Sequence, residues 1–141
     1  MLEQTIKRGV EMREILFRGK RKGDNKWVYG SFARYNLEDG TADMFLPEYG
    51  VLFSVHIDTL GQFTGLIDKN GKKIFEHDIV RCEFNSAPPM NGKVVFENGA
   101  FGLRWKHHGS GVENFAAFEC ICNVEYTVIG NIHDNPELME V

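Results

Sequence analysis

The side chains whose types could do chemistry are three cysteines, five histidines and a central run of acidic, basic and glycine residues. Cys120-Ile121-Cys122 would set two sulfurs on one face if this stretch is a strand, with His107, His108 and His133 as further ligand types elsewhere. Structural zinc sites favour two ligand pairs, each spaced by two to four residues, and no second pair stands here, so the reading is no metal and no cofactor. Gly65 to Lys73 has the flavour of a phosphate loop, yet five residues separate Gly65 from Gly71 where that motif needs four. Lys73 also stands where a Ser or Thr must hold magnesium. A calcium loop starting at Asp68 fails too, with Lys72 at the third ligand position, Lys73 at the obligatory glycine and Ile79 at the bidentate carboxylate. Cys82 falls on a predicted core face, no Ser sits on a strained turn, and Asp58, Asp68, Glu76 and Asp78 are turn residues whose convergence spacing does not reveal. These residues point to no catalytic centre, and the expectation is a protein that is not an enzyme.

One basic cluster remains. Arg18-Gly19-Lys20-Arg21-Lys22-Gly23-Asp24-Asn25 reads as a loop bounded by glycines, with four basic residues among its first five. As a functional feature it would contact phosphates, with Arg18, Lys20, Arg21 and Lys22 joined by Lys93 and Arg104 from a later hairpin. As a structural feature it is a solvated loop that charge keeps from sticking to other sheets. His56 falls on the more polar face of a strand, where a histidine is more often a boundary residue than a ligand.

The elements that must position these groups are strands. Glu14 to Phe17 reads as a first strand, Trp27 to Phe32 as a second, Met44 to Leu46 as a third that Pro47 stops, and Val51 to Ile57 as a fourth. Asp68-Lys69-Asn70-Gly71 is a tight reversal between apolar runs, and Ile79 to Phe84 then alternates, with Val80, Cys82 and Phe84 on one face. Ser86 to Gly92, with paired prolines, is a loop. Asn98-Gly99 predicts a two-residue hairpin in which Glu97 faces Ala100, Phe96 faces Phe101, Val94 faces Leu103 and Lys93 faces Arg104. Trp105 then shares the core face, and the Lys93 and Arg104 like-charge pair marks either an anion site or a wrong register. Residues 112–122 are apolar without a clear period and fit strand or helix equally. Val124 to Ile132 is the last strand, and Asn135-Pro136-Glu137 predicts one short terminal helical turn.

Several of these stretches resemble the YopX family of phage and prophage proteins. The central Gln-Phe-Thr-Gly-Leu run at 62–66, the Asp68 to Gly71 turn and Asp78-Ile79-Val80 are similar to its signature at this spacing. Met12 to Arg18 is similar to its opening, Trp27 to Gly30 to its next strand, and Val128 to Pro136 to its close. The family usually has glycine just before Asp-Ile-Val, where this chain has His77; histidine is one of the side chains that tolerate positive φ if the turn needs it. The resemblance implies a mostly β fold ending in a small SH3-like barrel, and it implies no catalytic residues.

Composition agrees with a β protein and bounds its partners. The chain has 141 residues, 43% of them hydrophobic, with eleven Phe, four Tyr and two Trp, enough for one domain or two small packed ones. Residues 1–60 carry nine basic and nine acidic side chains and residues 61–141 carry seven and eleven, so the second half holds the whole net charge of −4. That balance argues against the second half as a general binder of phosphate backbones. Three cysteines, an odd number, suit a reduced cytoplasmic protein, and no apolar run is long enough to span a membrane. The expected organisation is a loosely ordered extension at 1–11, an N-terminal β region at 12–60 and a C-terminal SH3-like barrel at 61–141. The expected role is a phage- or prophage-encoded protein-binding or self-assembling module, a homo-oligomer or the ligand of another protein, with nucleic-acid binding through the basic loop as the alternative.

Overall fold

In a computed structural model, residues 13–107 and 109–140 are described. The expected extension at 1–11 and His108 lie outside them. Among the described residues eleven strands form two antiparallel sheets, so the protein is mostly β. In chain order they are β1 Phe17–Lys20, β2 Trp27–Asn36, β3 Thr41–Leu46, β4 Val51–His56, β5 Gly61–Ile67, β6 Lys73–Phe75, β7 Asp78–Phe84, β8 Met90–Glu97, β9 Ala100–Lys106, β10 Glu113–Ala117 and β11 Val124–Asn131. The first sheet has the order β4-β3-β2-β1-β5-β6 and the second β10-β9-β8-β7-β11.

Each sheet buries one face. Ala42, Met44, Leu46 and Val55 centre the first core, with Phe17, Val28, Phe32, Phe53 and Leu60 against it. Val80, Cys82, Val94 and Leu103 centre the second, joined by Ile74 from β6. The β8 to β9 hairpin has the register that Asn98-Gly99 predicts, Val94 opposite Leu103 and Lys93 opposite Arg104. Both turn residues have positive φ, +52° and +79°, as a type I′ reversal requires. Trp105 packs half-buried against that core. Phe96, at the hairpin tip, stays 52% exposed and meets Phe101 edge-on.

Three expectations are corrected. First, β1 begins at Phe17 and runs through Lys20, so Arg18 and Lys20 belong to a strand and not to a loop. Gly19 is no loop boundary: a Cβ there would stand 2.8 Å from the Val55 side chain, so glycine is what lets β1 cross close to β4. Second, the C-terminal sheet is open. Its edges are β10 and β11, and among the described residues no ladder joins them into a closed barrel. The strand that curls back lies instead in the first sheet, where Arg21 bridges Val55 and Lys22 N–H donates to the Ser54 carbonyl. Third, β5 and β6 pair with the first sheet through Phe17 to Gln62 and Arg18 to Gly61, so the sheets part between Phe75 and Asp78 rather than at residue 61. The stretch at 112–122 becomes β10 followed by a 3-10 turn at Phe118–Cys120, and the terminal turn is a 3-10 helix at Pro136–Met139.

Candidate interaction surface

The six basic residues do not gather into one surface. Arg18 is 6% exposed, its guanidinium held 2.8 Å from Asp78 and lying over the rings of Trp27 and Phe75. A buried, stacked and paired guanidinium is part of the join between the sheets, and it is removed from any surface phosphate contact. Lys20 pairs with Asp134 and Arg21 with Asp24. Lys93 and Arg104 are the cross-strand pair that the hairpin register predicts. The like charges are tolerated because Glu97 and Glu113 both pair with Arg104. Among the described residues only Lys22 and Lys93 of the six have no ion-pair partner.

Several buried or half-buried polar groups hold backbone at the seam between the sheets. Asp78 accepts the Phe75 N–H as well as Arg18. Burial pushes its carboxyl up against the pull of Arg18. Asp68, in the central turn, accepts the N–H groups of Asn70, Lys72 and, from β11, Val128. Burial raises that carboxyl, and the three donors more than offset the rise, so it stays below its ordinary range. His77 has φ +74°, donates its backbone N–H to the Val94 carbonyl and accepts the Ile132 N–H at its own carbonyl. Its Nδ1 lies 3.2 Å from Nε2 of His133. Burial, then the neighbouring His133, Arg18 and Lys93, lower His77 to about 4 against the pull of Asp58, and burial lowers His133 as well. Asp134, bonded by Lys20 and Trp27, falls to about 2.

Two open features remain. A groove of about 820 Å³ runs between the β8 to β10 face and the C-terminal turn. Lys93, Trp105, Lys106, Ile132, Met139 and Glu140 are among its walls. The second feature is the outer edge of β4. From Ser54 onward that edge is covered by Arg21 and Lys22, but Val51 to Phe53 have no backbone partner on that side among the described residues. Around this gap Tyr49, Val51, Leu52 and Phe45 are 63%, 47%, 50% and 40% exposed. No Lys, Arg, Asp or Glu occurs from Tyr49 to Ile57.

The topology that carries these features is shared with known proteins. The family model described as YopX protein matches residues 16–140. The chain belongs to the YopX family. Two crystal structures have this fold at low identity. Protein EF1440 from Enterococcus faecalis is 21% identical with a TM-score of 0.53, and protein yopX from Bacillus subtilis is 19% identical with a TM-score of 0.54. Each comparison covers 92% of this chain and 100% of the other. No curated protein matches this chain. Within the family fold, the signature turn Asp68 to Gly71 is a stitch: Asp68 takes the Val128 N–H while Lys69 N–H donates to the Tyr126 carbonyl, both on β11.

Residue-by-residue reading missed the β4 edge and the His77 to His133 pair. The uncharged run from Tyr49 to Ile57 was the available signal for the edge, since edge strands are ordinarily guarded by charge or proline. Nothing local signals the histidine pair, whose members stand 56 positions apart.

Proposed function

We propose that this YopX-family chain is a non-enzymatic binding protein that assembles with a second copy of itself through the free edge of β4. The carrying observation is the unguarded gap at Val51 to Phe53 with exposed Tyr49, Leu52 and Phe45 around it. Natural sheets blunt such edges with lysine, proline or a covering segment; here the covering segment stops at Ser54. A strand pairing antiparallel with its own copy about a two-fold axis at Leu52 sets Leu52 beside its symmetry mate and Val51 opposite Phe53, so a charge at the axis would meet itself, and this run holds none. The fitting occupant is therefore the same strand of a second protomer.

Several features support the non-enzymatic part. Cys82 is fully buried, and Asp68 and Asp78 are committed to backbone donors or Arg18. The SH3-like likeness belongs to this reading as well, as a resemblance in the C-terminal strands whose sheet stays open. A phage or prophage source and a place in the bacterial cytoplasm belong to this reading, supported by the family resemblance and the free thiols. No helix among the described residues is long and apolar enough to cross a membrane. The nucleic-acid alternative is weaker, because Lys22 and Lys93 alone make too short a track for phosphates.

Sedimentation velocity of the parent and of Leu52→Lys over a wide concentration range tests the proposal. A concentration-dependent dimer that Leu52→Lys abolishes, with an unchanged circular dichroism spectrum, is the expected result. A parent that stays monomeric throughout overturns it. DNA binding at low salt that Lys22→Glu removes would move the choice to the alternative.

A further inference from the structure

Two metal-ligating side chains meet at the seam, where Nδ1 of His77 and Nε2 of His133 are 3.2 Å apart. The rings stand at 84° to each other with centroids 5.0 Å apart, so the nitrogens meet while the ring bodies diverge. An ion held at about 2.0–2.1 Å by two imidazoles, in tetrahedral geometry, requires nitrogens roughly 3.3 Å apart. The backbone presets this spacing. His77 is pinned from both sides, its N–H on Val94 and its carbonyl on Ile132, and His133 follows directly after Ile132. His133 is further fixed by its own N–H, which donates to Asn131 Oδ1, and by ring contact with Trp27. Both imidazoles are half-buried, which leaves the pair a solvent-facing side for water ligands.

His77 holds φ +74°, a conformation that side chains other than glycine adopt at a cost of about 1 kcal/mol or more. A side chain kept in such a place points to something its ring does. Local charge does not forbid a cation. Arg18 is matched by Asp78 and Lys20 by Asp134, and the Asp58 carboxylate acts favourably on both rings.

We propose that His77 and His133 form a two-imidazole site for a divalent first-row transition ion of the zinc, nickel or copper class, with water completing its shell. Imidazole suits these ions and does not suit magnesium or calcium. Among the described residues no group of three or more His, Cys, Asp or Glu side chains is placed to hold a metal, so the site is exchangeable rather than structural. It binds where β7 begins and β11 ends, and it ties those two chain segments to each other. This inference is independent of the self-association through β4.

Calorimetric titration of the tag-free chain with zinc and with nickel chloride tests it, beside His77→Gly, His133→Gln and His107→Gln. Glycine is at ease at φ +74°, so His77→Gly keeps the fold, and its melting temperature in chelator checks that it does. The expected result is one ion per chain, affinity reduced about tenfold or more in His77→Gly and His133→Gln, and no change in His107→Gln. Imidazole nitrogen shifts in a long-range nitrogen-proton spectrum should move for His77 and His133 together. Absence of uptake, or uptake of equal strength in His77→Gly, overturns the proposal and leaves the pair as a hydrogen bond only.

Discussion

The Asp68 carboxylate accepts the backbone N–H of Val128 at 3.0 Å across sixty positions of sequence. With its other oxygen it closes its own turn through Asn70 and Lys72. The most recognisable stretch of the chain is thus a structural join, in which one side chain both shapes a reversal and holds the outer edge of β11.

Removing that carboxylate should unfasten the join. Asp68→Ala leaves the half-buried Val128 N–H without its acceptor and opens the turn, an expected loss of roughly 1–3 kcal/mol in urea denaturation. The folded carboxyl lies below its ordinary 3.8. Its contribution is therefore present above that value and lost as pH falls through the lower folded one. Asp68→Asn should show a shallower loss of stability than the parent as pH falls below the ordinary carboxylate value. Equal acid profiles would mean that the carboxylate charge contributes nothing.

Arg18 and Asp78 are expected to behave as a unit. Each is nearly out of solvent, and Arg18 also donates to the Glu76 carbonyl. Asp78→Ala strands a guanidinium between Trp27 and Phe75 and should cost about 3–5 kcal/mol. Arg18→Met with Asp78→Asn should cost less than the two single losses added together, because neither charge is then left alone. A strictly additive double-mutant cycle would show that the pair does not couple.

Local signals were legible where the physics is local. Asn98-Gly99 with alternating residues on both sides determines a hairpin register over a few positions, and every predicted pair from Glu97 to Lys93 is found. The family likeness and the β class were legible for the same reason. Arg18 misled because a basic residue beside glycine reads as surface, whereas its partner Asp78 lies sixty positions away. The strand partner of β5 was hidden because β5 meets β1 over only two residue pairs, too short to leave a pattern. The β4 edge, the site of the proposed function, shows in sequence only as missing charge between Tyr49 and Ile57.

Close backbone approach makes one glycine irreplaceable for reasons other than its φ. A Cβ on Gly30 would sit 2.2 Å from the Phe45 carbonyl oxygen, which belongs to the paired strand β3 and has little room to yield. Gly30→Ala should lower stability by about 1–3 kcal/mol or prevent folding. Gly23→Ala, with nothing within 4 Å, should stay within about 0.5 kcal/mol of the parent. Thermal melts of the two side by side check the contrast, and equal melts would remove the steric argument.

The three thiols should divide by environment. Cys82 is fully buried among Val80, Val94 and Leu103, and burial alone pushes its thiol up to about 12. Cys120 and Cys122 are exposed, at the end of the 3-10 turn that follows β10 and in the loop after it. Attack on a thiol reagent requires thiolate and access, and Cys82 offers neither at neutral pH. The folded chain should therefore consume two equivalents of an aromatic disulfide quickly and the third only as the second sheet opens. Adding denaturant should release that third equivalent in step with loss of the β signal, because β7 carrying Cys82 is bracketed by β8 and β11 and exposes its inner face only when those ladders break. Three fast equivalents in the native protein would place Cys82 outside the core, and no fast equivalent, with a single one released on unfolding, would mean that Cys120 and Cys122 are joined as a disulfide.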